Sequence, residues 1–102
     1  MPAMSSGDTS PPSESRVIGT PLDYSEDLYE FYVETVDIDG TAERVLRDFL
    51  GPRHAKRLRR LAHGFEFAAP IQCAPDLIRL LTQENIAVYQ LVRRAKVEGT
   101  WR

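Results

Sequence analysis

Apolar and polar residues alternate most clearly between Leu28 and Ile38, LYEFYVETVDI. Tyr32, Val33, Thr35, Val36 and Ile38 favour a pleated surface, and the Asp39-Gly40 pair that follows is a turn signal. The pattern predicts a strand over 32–38. A helix from Asp23 to Val36 is the alternative, since Leu28, Phe31, Tyr32 and Thr35 also recur at helical spacing.

Gly40–Pro52 changes period. Val45, Leu46, Phe49 and Leu50 form a helical stripe, with Thr41 placed to cap it and Glu43 in the first turn. Gly51-Pro52 ends that helix. From Pro52 to Gly64 the chain reads as a second amphipathic helix. Ala55, Leu58 and Ala62 share one side of it, and Arg53, Lys56, Arg57 and Arg60 line the other. Phe65–Cys73 opens with Phe65 and Phe67 around Glu66 and meets Pro70, which suits an edge strand or a strand end. Pro75 and Asp76 then start a helix buried through Leu77, Ile78, Leu80 and Leu81, with Asn85 as its left-handed cap. Ile86–Val92 reads as a buried strand that runs on through RRAKVEGTW.

The expected order is β-α-α-β-α-β, an α+β fold with a small open sheet and helices on one face. An all-α bundle is the alternative, because residues 24–38 satisfy both periods. ETVDIDGTAERVLRDFLG and DLIRLLTQENIAVYQLV are similar to the strand-turn-helix and helix-Asn-strand units of ferredoxin-like regulatory modules, amino-acid-sensing domains among them. The resemblance implies a ferredoxin-like sandwich and carries over no ligand and no site residue.

Residues 1–21, MPAMSSGDTSPPSESRVIGTP, offer little to bury, so a disordered tail is expected ahead of a single domain over 22–102. That tail lacks the basic start and apolar run of a secretory signal. No run approaches the roughly 20 apolar residues of a membrane span. One cysteine, Cys73, excludes an internal disulfide and fits a cytoplasmic location. About 80 folded residues make a marginal core, which favours association.

Charge divides along the chain. Residues 1–50 hold eleven acidic and three basic side chains, residues 51–102 four and ten. The overall balance of −2 hides this asymmetry.

Little here supports catalysis. Cys73 and His63 form the sole thiol-imidazole combination and lack a third orienting group. His54 reads as a surface residue. Two histidines and one cysteine fall short of a structural zinc site, and Asp37 and Asp39 fall short of a calcium loop. No enzyme, metal or cofactor is expected.

The remaining signal is the basic segment. Arg53, Lys56, Arg57 and Arg60, with Arg93 and Arg94 as an extension, are the expected partner-binding residues, offering donors to carboxylates or phosphates. The function that follows is a small non-enzymatic binding or regulatory module. Its basic helix face would contact an acidic protein or a second copy, as in a homodimer. Nucleic acid is an alternative partner, with Trp101 available for stacking, although a pI near 5.6 argues against it. A small-molecule sensor is a third reading. No membrane role is expected, because the helix's apolar face is Ala-rich and needed in the core.

Overall fold

The computed structural model describes residues 17–102, and residues 1–16 of the expected tail lie outside the described residues. Four strands and two helices follow in the order β1 (Asp27–Thr35), α1 (Thr41–His54), β2 (Arg59–Leu61), β3 (Gly64–Ala69), α2 (Cys73–Gln83) and β4 (Val88–Thr100), with a 3-10 turn at Ala55–Arg57. The sheet is antiparallel, ordered β2-β3-β1-β4.

The α+β class is as expected, and the all-helical alternative fails because Asp27–Thr35 is a strand. The expected order β-α-α-β-α-β is corrected at one element. Residues 52–64 are not a second helix: after Gly51 the chain makes one further turn and the 3-10 turn, then enters β2. Gly51 adopts φ 77° and ψ 169°, which breaks α1 before Pro52. Ala62-His63 is then the two-residue turn that joins Leu61 of β2 to Gly64 of β3. Gly64 has no room for a side chain, since a Cβ there would stand 2.0 Å from the Val33 carbonyl oxygen.

Alternation along β1 builds the core. Tyr29, Phe31 and Val33 join Phe65, Phe67 and Ala69 of β3, and both helices cover this side through Ala42, Val45, Leu46, Leu50, Leu77 and Leu81. Phe31 and Phe67 stack with centroids 5.7 Å apart. The intervening Glu30, Tyr32, Glu34 and Glu66 mark the opposite face, which neither helix covers.

Two ends of the fold are tied by carboxylates. Asp37, rather than Thr41, caps α1: its Oδ1 and Oδ2 accept the Ala42 and Glu43 amides, while Asp39 accepts that of Thr41. At the other end residues 17–26 form a turn around buried Asp23, which accepts the Gly19 and Ser25 amides and the Tyr29 hydroxyl. The Gly19 amide, foremost, holds the Asp23 pKa down at about 2 against the cost of burial. Gln72 donates to the Pro21 and Asp23 carbonyls and fastens this turn to the start of α2.

β4 is longer and more exposed than the buried strand expected from Ile86–Val92. It pairs with β1 alone, through register shifts at three points, and its outer side has no strand neighbour among the described residues.

Candidate binding site

A helix would have gathered the basic side chains on one surface; the strand scatters them. Successive strand residues point to opposite faces. Arg59 pairs with Glu66 in register, on the open face, and Arg60 pairs with Phe65, on the helix side.

Arg60 accordingly lies over the Phe65 ring at 5.3 Å and reaches the start of α1. There it donates to Asp37 Oδ2 at 3.2 Å, Glu43 Oε1 at 3.3 Å and the Asp37 carbonyl at 2.9 Å. On the open face Glu66 is buried beneath two guanidinium groups, its Oε1 taken by Arg59 and its Oε2 by Arg94 at 2.7 Å. Hydrogen bonds from Arg59, with Arg94 beside it, lower the Glu66 pKa despite burial. Arg94 also covers the Tyr32 ring at 5.3 Å, and Arg93 turns the other way, over Tyr29 at 5.7 Å.

Much of the remaining basic segment faces backbone. Arg53 donates to the Thr100 carbonyl at 3.4 Å, His54 Nε2 to that of Trp101 at 2.7 Å and Arg57 to that of Glu98 at 2.9 Å. The end of β4 is thereby clamped against the end of α1 and the 3-10 turn. His54 is buried, contrary to the surface position expected, and its ring stacks on Trp101, which also meets Phe49. That indole is committed within the fold instead of being presented for base stacking.

Of the six expected contact residues, only Lys56 and Arg57 meet in one cavity. With Arg59 they rim a hollow of about 300 Å³ whose other walls are Glu30, Phe67, Ala68 and Val97. Lys56 is exposed and has no ion-pair partner among the described residues. Arg53 points away to Thr100, Arg60 lies on the helix side, Arg93 lies over Tyr29, and Arg94 is joined to Glu66. The hollow exists because β2 begins only at Arg59, opposite Glu66. Phe67–Ala69 therefore lack a strand neighbour on that side, and the 3-10 turn passes there instead.

The helical reading missed Arg59 and Glu66. The signal that identifies them is a hairpin: two residues, Ala62-His63, between Leu61 and the Gly64-Phe65-Glu66-Phe67 alternation.

A second hollow, about 360 Å³, lies at the hairpin end between Glu34, Val36, Arg60, Leu61, His63 and Tyr89. His63 in that turn and Cys73 at the start of α2 flank opposite ends of β3, about 16 Å of strand. The thiol and imidazole do not form a pair. Burial, with Asp76 and Glu26 adding to it, pushes the Cys73 pKa up to about 11. Among the described residues no cluster of three His, Cys, Asp or Glu could hold a metal ion, and no helix is long and apolar enough to cross a membrane.

Compared with protein-family models, curated proteins and solved structures, the chain matches none.

Proposed function

We propose that this chain is a small non-enzymatic binding module of the ferredoxin-like class, acting in the cytoplasm, that seats an acidic segment of a partner protein. The class rests on the order β-α-β-β-α-β, with β3 lying between β1 and β2, which run the same way. Both helices lie on one side, so the other sheet face is open to a partner.

One observation carries the binding reading: Lys56, Arg57 and Arg59 converge on a hollow walled by Ala68 and Val97. Apolar walls favour a side chain, and the cationic rim favours a carboxylate beside it. Lys56 contributes most, because Arg59 is already paired with the Glu66 carboxylate and Arg57 already donates to the Glu98 main-chain carbonyl. A nucleic-acid backbone is disfavoured, since the hollow has apolar walls at Ala68 and Val97 and Trp101 is stacked internally.

The test uses a fluorescein-labelled peptide containing Leu-Glu-Glu repeats, with a single-stranded oligonucleotide of equal charge as the competitor probe. Peptide anisotropy should rise on titration and weaken with salt. Lys56→Glu should lower its affinity by about tenfold, the scale of one lost charge contact plus repulsion. Amide shifts should move at Ala68 and Val97. Peptide binding indifferent to Lys56, or stronger binding of the oligonucleotide, overturns the reading.

A further inference from the structure

The loop between β1 and α1 carries Ile38, the most exposed of the large apolar side chains among the described residues at 92 %. Val36, Leu61 and Tyr89 are also exposed at this end. Val36 joins them into one patch, lining the hairpin hollow with Leu61 and Tyr89 and a neighbouring one with Ile38. Asp39 and Glu34 stand at its margin with no ion pair among the described residues.

The loop is held in place. The Asp37 carboxylate, only 2 % exposed, binds the start of α1 and Arg60, and Asp39 binds the Thr41 amide. An apolar knob with an adjacent carboxylate is therefore presented with little flexibility left to lose on docking.

The hollow at Lys56 has the converse chemistry: apolar walls, a cationic rim, and about 300 Å³, enough for a branched aliphatic side chain. It cannot receive the loop of its own chain. Glu30 lines the hollow, β1 continues for five more residues to Thr35, about 17 Å, and the loop beyond is pinned.

We infer that the occupant of this hollow is a second copy of the chain, with Ile38 of one molecule set against Ala68 and Val97 of the next and Asp39 facing Lys56 and Arg59. The inference rests on reading the hollow as a seat for an acidic segment, and it names that segment. Knob and hollow are different surfaces, so each single contact leaves one knob and one hollow free to meet a further copy, and association grows with concentration.

Sedimentation velocity on the full chain tests it, from about 10 µM to about 1 mM, a range that covers weak contacts. The wild-type weight-average mass should climb above the 11.6 kDa monomer with concentration and fall back in about 0.5 M salt. Ile38→Asn and Lys56→Glu should each remain monomeric alone. Their equimolar mixture should form a 1:1 pair and nothing larger, because the first variant keeps its hollow and the second its loop. Both positions are exposed, so circular dichroism should be unchanged. A monomeric wild type, variants that associate like wild type, or a mixture that stays monomeric overturns the inference. If the wild type is monomeric while the acidic peptide still binds through Lys56, self-association falls and the hollow's function stands. If the peptide also fails to bind, both fall.

Discussion

His54 lies flat on Trp101, with ring centroids 4.4 Å apart and planes within 11°, and its Nε2 donates to the Trp101 carbonyl at 2.7 Å. One side chain thus holds both the ring and the backbone of a residue 47 positions later. His54→Ala removes a stacking contact and a hydrogen bond, each about 1 kcal/mol. The melting temperature should fall by about 10 °C. Trp101 is the one tryptophan of the chain, so its emission should shift to the red in the same variant. His54→Phe keeps the stack and should recover about half the loss.

Asp37 satisfies two amides at the start of α1 and receives Arg60. Asp37→Ala should cost about 2 kcal/mol, and exchange at the Ala42 and Glu43 amides should accelerate. Asp39→Ala, at an exposed position with one amide partner, should cost clearly less. Chemical denaturation followed by Trp101 emission distinguishes the two.

Gly64→Ala forces a methyl group to within 2.0 Å of a backbone oxygen, and the obstacle is the paired strand itself. The hairpin must separate from β1, at about 3 kcal/mol or more. Gly40→Ala is the comparison: φ there is 86°, but nothing lies within 4 Å, so only backbone strain of about 1–2 kcal/mol applies. Thermal unfolding should rank Gly64→Ala well below Gly40→Ala.

Asp23 has a pKa of about 2 in the fold against an ordinary 3.8. Because the folded value is the lower, its contribution is complete above pH 4 and disappears as pH drops through 2. Asp23→Asn should flatten stability across that interval and leave the slope above pH 5 unchanged. Acid titration of the melting temperature measures both.

A first strand and the two helices were legible because their apolar stripes bury against one another, although the strand spans Asp27–Thr35 instead of 32–38 and leaves Val36 and Ile38 exposed in the loop. Val45, Leu46 and Leu50 sit where the helical period places them, as do Leu77 and Leu81, and Asn85 takes the expected left-handed conformation at φ 61°. The segment 52–64 was misread because Ala55, Leu58 and Ala62 satisfy a helical period by coincidence, whereas β2 has only three residues, all exposed. No alternation of buried positions marks such a strand. Leu58, 8 % exposed, kept the buried role assigned to it and Ala55 packs half-buried against the core, whereas Ala62 is exposed in the turn. The targets of Arg53, His54 and Arg57 were illegible for another reason: they are main-chain carbonyls, which every residue carries, so the sequence around Glu98–Trp101 gives no sign of them. The hollow at Lys56 shares that fate, being produced by the point at which β2 starts.

The bare outer side of β4 has a consequence for behaviour at high protein concentration. Extended backbone with no strand neighbour along one margin is a template on which identical strands could zip together into fibres, although the Glu98 and Thr100 carbonyls are already taken by Arg57 and Arg53. Arg93, Arg94 and Lys96 occupy its middle, and Gly99, at φ 106°, bends it near the end. Two such margins brought side by side would crowd like charges at the centre and diverge at the tip. Replacing that trio with valine or threonine would remove this protection and favour precipitation.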